Sequence, residues 1–375
     1  MKTGKSVNNM VVMLVIVICL FCGCSRYALE SEETEKTSDV VDMDLYEVDI
    51  CIEDVHSFLY FDGKSIWYQI VKNESATYFR YDIVAKKSIK IGEISNPILI
   101  SRDKAVSYNG LYLYAAREKN QSLSKHLFFL SFEDDSIMEI DVSHISESLI
   151  PVEWYDNKLY SLKVDVDNKT GEGVSYIEVF NPTDKEKSIL LHEEANYKEK
   201  VGTALVNFCI SDGVIYAYFQ NADEEEELVS FIRTYNLNGD MIEDVHLSKL
   251  PSVSLRETCA DIKVVGELIY LSAVSDEVYI GKISDGNMTE ILYGSNIGYA
   301  ISEPGSPQMF FQKDSRNIYI CNAEINGLEA FELDVGEDMR IKRMLSCGDS
   351  ILAILRDGNG DETVVISQVA ALKKE

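Results

Sequence analysis

Apolar and polar residues alternate along most of the chain from residue 45 onward, which predicts β-strands. The strand-like runs are rich in Tyr, Ile and Val, and many of them follow a turn of the Asp-Gly or Asn-Gly kind. Helical periodicity is nearly absent. This turn-plus-strand unit recurs at Asp62–Tyr68, Tyr108–Tyr114, Asp156–Tyr160, Ser211–Tyr216, Gly266–Tyr270 and Gly348–Leu352.

The unit repeats with a period of about 45 residues. Asn317-Ile318-Tyr319 resembles the same strand, but its downstream pattern matches the third and fourth strands of the preceding repeats. The second strand of that repeat is therefore predicted at Gln308–Phe311. The apolar residues that anchor the seven second strands are then Ile66, Leu111, Leu159, Ile215, Ile269, Met309 and Ile351.

Seven repeats of four short strands predict an all-β fold, a seven-bladed β-propeller. The last repeat ends after its third strand, Thr363–Val369, whereas Leu45–Ile52 precedes the first strand of the first repeat. We expect this N-terminal strand to close the last blade, because an unpaired edge favours aggregation. An open ring of six and a half blades and two smaller β domains remain alternatives.

The propeller is expected to cover residues 45–372. Its blades are expected at about 55–95, 96–146, 147–195, 200–248, 257–295, 296–337 and 338–372, with the closing strand at 45–52.

The N-terminus has the features of a lipoprotein signal peptide, predicted at residues 1–23. Lys2 and Lys5 precede an apolar run, Met10–Cys22, that is too short to span a bilayer. The run continues into Gly23-Cys24, which resembles the bacterial lipobox, where a small residue precedes a lipidated cysteine. Cys24 is therefore the predicted lipidation site. Ordinary secretion and an uncleaved anchor are the alternatives.

Residues 24–44 are predicted to form an acidic, disordered tether behind the lipid. Twenty flexible residues reach on the order of 25 Å on average, so the folded part would stay close to the membrane. Removing residues 1–23 takes away two lysines and brings the net charge from −28 to −30. This charge argues against nucleic-acid binding and makes the lipid the expected membrane anchor.

The lipobox and the recurring turn-strand units resemble β-propeller lipoproteins of Gram-positive anaerobic bacteria that repeat Asp-Gly-x-Ile-Tyr. The resemblance covers the repeat region and the lipobox. It implies a propeller on the outer face of the cell membrane, and it implies no catalytic residues.

The sequence lacks the motifs of known propeller enzymes, and its five histidines are scattered singly. No nucleophile elbow, zinc motif or phosphate loop is present. Of the eight cysteines, Cys51, Cys209, Cys259, Cys321 and Cys347 remain after processing and lipidation. Their odd number and wide spacing argue against a disulfide framework, and their apolar neighbours predict buried thiols.

Two acidic patterns are candidate sites. Asp357, Asn359 and Asp361 have the oxygen spacing that opens a calcium loop, although Glu362 and Gln368 then break the pattern, so a solvated hairpin tip is the alternative. The loops between second and third strands carry further acidic residues and predict an acidic docking face for a cation or a basic partner. These residues are Asp165, Asp167, Glu172, Glu224, Glu225, Glu226, Glu227, Asp276 and Glu277, with Asp357, Asp361 and Glu362 in the last repeat.

The expected function is that of a monomeric, membrane-tethered binding or scaffold module for a protein or cell-envelope ligand. No cofactor is evident apart from calcium. A hydrolase or lyase acting on carbohydrate or peptidoglycan fragments is the alternative. A polar cluster around the central channel would distinguish the two, because propellers serve both purposes.

The lipidation site is directly testable. We expect Cys24→Ala to abolish labelling by a fatty-acid analogue and to release the protein from membranes, because no other element is expected to anchor it. Fractionation and metabolic labelling of the variant measure both effects. A variant that stays labelled and membrane-bound would show the prediction to be wrong.

Overall fold

The computed structural model is built from strands and turns, with no helix among the residues that it describes, and hence none able to span a membrane. These residues are 44–48, 55, 57–72, 75–95, 99–107, 110–119, 122–140, 152–167, 169–181, 183–196, 201–222, 228–246, 259–273, 277–284, 287–295, 298–299, 308–312, 317–322, 327–332, 338–348 and 350–368.

The strands are short, and neighbouring strands are antiparallel. The first nine are β1 (Asp44–Val48), β2 (Ser57–Phe61), β3 (Ser65–Lys72), β4 (Ser75–Asp82), β5 (Lys87–Ser95), β6 (Leu99–Ser107), β7 (Gly110–Lys119), β8 (Ser122–Ser131) and β9 (Ile137–Ile140). The next eight are β10 (Val152–Tyr155), β11 (Lys158–Val166), β12 (Glu172–Phe180), β13 (Lys187–Asn196), β14 (Val201–Ser211), β15 (Val214–Ala222), β16 (Leu228–Asn236) and β17 (Met241–His246). The last eleven are β18 (Cys259–Val265), β19 (Leu268–Ala273), β20 (Glu277–Ser284), β21 (Asn287–Ser295), β22 (Gly298–Tyr299), β23 (Gln308–Gln312), β24 (Asn317–Asn322), β25 (Gly327–Glu332), β26 (Arg340–Cys347), β27 (Ser350–Arg356) and β28 (Glu362–Gln368).

These strands form six sheets in which each strand pairs with its neighbour in the chain. Sheet I is β2–β5, sheet II is β6–β9, sheet IV is β18–β21 and sheet V is β22–β25. Sheet III contains the eight strands β10–β17, and its two four-stranded halves are joined by only two residue pairs, Ala195 with Gly202 and Asn196 with Val201. The unit of the fold is therefore the four-stranded meander.

Sheet VI departs from this order because it contains both ends of the described chain. Its order is β1-β28-β27-β26, and β1 runs antiparallel to β28 with Asp44 opposite Gln368 and Val48 opposite Val364. The fourth strand of this sheet thus comes from the N-terminus, and the first three come from the C-terminus.

Both faces of the four-stranded units are apolar and pack against neighbours. In sheet I, Tyr68 packs with Leu352 of sheet VI, whereas the adjacent Trp67 packs with Leu111 of sheet II. Five further clusters join sheet II to III, the two halves of III to each other, III to IV, IV to V, and V to VI. Alternation along each strand supplies an apolar side chain to both seams.

Six hairpins share one turn chemistry, which explains many of the acidic residues. The first residue is Asp, Asn or Ser, and its side-chain oxygen accepts backbone N–H groups two to four residues later. A residue with positive φ then closes the turn. The pairs of opening and closing residues are Asp82 and Lys86, Ser131 and Asp135, Asp167 and Gly171, Asn181 and Lys185, Asn236 and Gly239, and Asp357 and Gly360.

Each meander has two different edges. We call the edge with the first-to-second and third-to-fourth turns the turn edge, and the edge with the second-to-third loops the loop edge. Turn edges of neighbouring units meet, since a Cβ on Gly63 would lie 3.8 Å from Cys347 Sγ, and one on Gly213 would lie 3.4 Å from the Tyr155 hydroxyl. Arg80 of sheet I also binds Asp135 in a turn of sheet II, with nitrogen-oxygen distances of 2.7 and 2.6 Å.

Several sequence predictions are confirmed. The all-β class is correct, and each of the six predicted turns lies between two strands that pair. β23 and β24 are the second and third strands of sheet V, as the pattern of Asn317–Tyr319 indicated. Cys209 is buried as predicted, whereas Cys347 is only partly buried, because it ends a strand at an exposed turn. The side chains of the other three cysteines lie outside those that the structure describes.

Two glycines of one hairpin allow a matched test of the turn chemistry. Gly360 has a φ of +97°, whereas Gly358 lies outside the left-handed region, and a Cβ added to it would have nothing within 4 Å. We expect Gly360→Ala to lower the free energy of unfolding by about 1–2 kcal/mol. Gly358→Ala, the control, should change it by less than about 0.5 kcal/mol. Chemical denaturation measures both, and equal effects would contradict the assignment.

Candidate functional site

The first strands of the units carry a row of polar side chains that interrupts their apolar pattern. In four of these strands, a polar residue pairs with a residue of the second strand. That partner lies three positions after the apolar anchor of the second strand. These pairs are Ser57 with Gln69, Asn207 with Tyr218, Asp261 with Ser272, and Arg343 with Ile354. The four residues therefore share one register, four or five residues from the turn edge. We call them the polar row.

β-Bulges accompany the polar row. The pairing of β14, β18 and β26 with their second strands shifts by one residue directly before Asn207, Asp261 and Arg343, and that of β2 shifts at Leu59, two residues after Ser57. A bulge bends the strand and changes the direction in which a side chain points. Asn207 Oδ1 accepts the next backbone N–H at 2.8 Å, and Asp261 Oδ1 does the same at 2.9 Å. These two side chains thus stabilise the bulges locally.

Arg343 connects two sheets through the polar row. Its Nη1 donates a hydrogen bond of 2.9 Å to Ser57 Oγ, and Ser57 Oγ in turn donates to the carbonyl oxygen of Phe58 at 3.3 Å. The first strand of sheet VI is thereby linked to the first strand of sheet I. The guanidinium group is only partly buried, so it stays partly accessible to solvent.

An ion pair lies two residues nearer to the turn edge. Lys263 Nζ on β18 is 2.7 Å from Glu153 Oε1 on β10. The pair spans two first strands that are not consecutive, since β14 comes between them in the chain. Both side chains are partly exposed, and such pairs contribute about 0.2–1 kcal/mol. The first strands therefore carry charged and apolar residues together, such as Lys263 beside the buried Ile262 and Val264.

Acidic side chains of the loop edge accept hydrogen bonds from tyrosines. The Tyr176 hydroxyl donates to Asp165 Oδ2 at 3.0 Å, and the Tyr293 hydroxyl donates to Glu277 Oε1 at 2.9 Å. Burial, followed by the neighbouring carboxylate, raises the pKa of each tyrosine to about 12. Both hydroxyls consequently stay protonated at neutral pH and act as neutral donors to the carboxylates.

Asp167 and Asp357 bind backbone amides of their own loops. Asp167 Oδ1 accepts the Lys169 N–H at 2.7 Å, and Asp357 Oδ1 accepts those of Asn359 and Asp361 at 2.9 and 2.8 Å. Desolvation alone would raise the pKa of Asp357, but these hydrogen bonds together lower it. Donors that carry no charge therefore orient both carboxylates.

Calcium binding at Asp357, Asn359 and Asp361 stays a prediction. The Asn359 side-chain amide donates to Asp357 Oδ2 at 3.3 Å, which brings these two residues together. Over the described ranges, no three His, Cys, Asp or Glu side chains converge as metal ligands would. The geometry accounts for these residues as a self-contained turn.

Glu362 differs from Asp165, Asp167 and Glu172 of the predicted docking face because cations compensate its charge. Lys342 forms an ion pair with Glu362 Oε1, and Arg356 Nε lies 3.9 Å from the same oxygen. Asp165, Asp167 and Glu172 have no ion pair among those that the structure describes. The loop edge of sheet III thus retains negative charge.

The remaining predicted site residues lie outside the described residues. They are Cys24, Glu224, Glu225, Glu226, Glu227 and Asp276. The polar row and the Glu153–Lys263 pair were not predicted from the sequence. A sequence signal for the polar row exists, because Asn207, Asp261 and Arg343 each lie four residues before the end of a first strand. A single polar residue in a strand is, however, too common to be recognised without the register.

Comparison with known proteins finds similarity at the level of the fold. No family model and no curated protein matches the chain. The chain is similar to Pyrococcus horikoshii acylaminoacyl peptidase, with a TM-score of 0.53, 13% identity and 83% of this chain covered. It spans 50% of the peptidase.

Two further solved structures are similar over nearly their whole length. YCF48 bound to D1 peptide has a TM-score of 0.48 and 9% identity, covering 90% of this chain and 99% of that one. The computationally designed Ika8 protein has a TM-score of 0.44 and 10% identity, covering 85% and 98%. The repeated four-stranded sheets and the peptidase similarity define an all-β protein of the β-propeller type.

Proposed function

We propose that this chain is a lipid-anchored, extracytoplasmic β-propeller that binds a basic protein or cell-envelope ligand through its loop edge. The lipobox at Gly23-Cys24 supports the anchor, and the resemblance to propeller lipoproteins of Gram-positive anaerobic bacteria supports the location. Propellers commonly use one edge of their blades for recognition, while the sheets serve as a rigid support.

The observation that carries the proposal is the net negative charge of the loop edge in sheet III, where Asp165, Asp167 and Glu172 outnumber the single exposed cation, Lys169. Neutral donors orient Asp165 and Asp167 without cancelling their charge. Holding carboxylates in defined positions lowers the entropy lost on binding. A cationic ligand would then supply the missing counter-charge and gain both attraction and a faster association rate.

We further propose that seven blades form a closed ring. Seven four-stranded units support this count when sheet III is divided at its weak junction. Seven apolar clusters support the closure, because one of them joins sheet VI to sheet I. β1 would then be the strand that completes the last blade.

Truncation tests the closure. Deleting residues 25–43 should cost almost no stability, whereas deleting residues 25–48 removes β1 and should lower the melting temperature and promote association, because β28 becomes an unpaired edge. Thermal unfolding and light scattering measure these effects. If both truncations melt alike, β1 does not close the fold.

Charge neutralisation tests the binding edge. We expect Asp165→Asn combined with Glu172→Gln to weaken binding of a tetralysine peptide by about threefold or more at low salt. Both residues are exposed at the loop edge. Calorimetric titration of the purified full-length protein measures the dissociation constant.

The matched control is Glu133→Gln combined with Glu186→Gln. It removes the same charge from exposed turn-edge positions and should leave the affinity nearly unchanged. If the two double variants weaken binding equally, the effect comes from net charge alone and the loop edge is not the binding surface. If neither variant matters, the peptide binds elsewhere.

A further inference from the structure

Exposed apolar side chains are concentrated at the turn edge of sheets I to III. Val84, in the third-to-fourth turn of sheet I, is 88% exposed. The exposed fractions of Met138, Ile189, Met241 and Ile242 lie between 54% and 60%, and all four residues stand within the first three positions of a fourth strand. Fourth strands begin at the turn edge, so these five positions lie at the same edge of consecutive units, and we call them the apolar rim.

The loop edge shows much less apolar exposure among the residues that the structure describes. Its two examples, Val71 and Val166, are 37% and 38% exposed. Both edges carry exposed carboxylates, such as Asp165 and Glu172 at the loop edge and Glu133 and Glu186 at the turn edge. The two edges of the same sheets therefore differ in the exposure of apolar side chains.

The chain enters the fold at the turn edge. Asp44, the first residue of β1, pairs with Gln368 of β28, and Gln368 also pairs with Ser350 of β27. Ser350 follows the first-to-second turn of sheet VI, so β1 begins at the turn edge. Sheet VI packs against sheet I, which carries Val84. The apolar rim thus begins in sheet I, which packs against sheet VI, the sheet that contains β1.

We propose that the apolar rim lies against the lipid bilayer, so that the loop edge faces away from it. This inference rests on lipidation at Cys24, which is part of the proposed function. Nineteen residues lie between Cys24 and Asp44, and the twenty steps along the chain extend to about 70 Å at most, so the tether permits contact between the rim and the bilayer.

The proposed partner of the apolar rim is the boundary between the lipid headgroups and the acyl chains of the membrane. Small apolar side chains insert there, and lysines beside them reach the phosphates while their stems stay apolar. Lys86 and Lys87 follow Val84 in the same turn and supply such cations. The net charge of the protein opposes binding to anionic lipid, so the rim orients the molecule and the lipid anchor holds it.

Tryptophan probes at the two edges test this orientation. Val84→Trp and Met241→Trp place a probe on the rim, and Val166→Trp is the matched control at the loop edge. The lipidated full-length proteins are reconstituted into vesicles of phosphatidylethanolamine and phosphatidylglycerol with brominated acyl chains. The buried Trp67 and the stacked Trp154 give a constant background, which the unsubstituted protein measures.

We expect the rim probes to be quenched about twofold more than the background and the Val166→Trp probe to match it. Equal quenching at both edges, or none at the rim, would overturn the orientation. Flotation of the unsubstituted protein and of Cys24→Ala in the same vesicles tests the anchor separately. If the unsubstituted protein does not float, the anchor and the orientation both fail; if it floats without rim quenching, only the orientation fails.

Discussion

Burial of both faces of every four-stranded unit is the constraint on which the rest of this structure depends. A strand that alternates Trp67 and Tyr68 has no solvent face, so each sheet requires a neighbour on either side. A linear series of such units would expose one apolar face at each end. The packing of sheet VI on sheet I covers such faces, and the pairing of β1 with β28 covers a strand edge. The first and last described strands thereby belong to one sheet.

The seam between sheets II and III contains polar as well as apolar side chains. Its apolar cluster contains four buried residues, Tyr112, Leu127, Leu159 and Phe180. Lys163 is also buried, 4.0 Å from Glu178, and burial lowers its pKa although the charge of Glu178 acts in the opposite direction. Glu178 Oε1 accepts no hydrogen bond from the described part of the chain. Buried charges of this kind cost desolvation energy that an apolar seam would not, so we expect this seam to be among the weaker ones.

The two edges of the sheets differ in apolar exposure, and the proposed function makes use of this difference. Apolar residues such as Val84 stand in solvent at the turn edge, whereas the loop edge presents carboxylates that neutral groups orient. In the proposed arrangement, a lipid on the N-terminal side and a ligand on the opposite edge would make use of both. The rigid sheets between them would transmit the position of the anchor to the binding surface.

Much of the fold follows from local sequence, because alternation and turn chemistry act within a few residues. Turns such as Asp62-Gly63 and Asp212-Gly213 are recognisable since few residues adopt positive φ, and the assignment of Asn317–Tyr319 to a third strand followed from spacing alone. The acidic loop residues were also recognisable, and the lipobox-like motif at Gly23-Cys24 is likewise a property of the local sequence.

The polar row and the apolar rim, in contrast, were decided only by tertiary structure. Ser57, Asn207, Asp261 and Arg343 align through the register and the bulges of their hairpins, and they come from four different sheets, which only the packing of the sheets brings together. The Glu153–Lys263 pair joins residues 110 positions apart. Exposure of Val84 and Met241 likewise depends on which neighbours pack over them. By itself the sequence determined the repeating strands and the N-terminal motif, since these depend on local preferences; the packing of whole sheets decided which side chains share an edge.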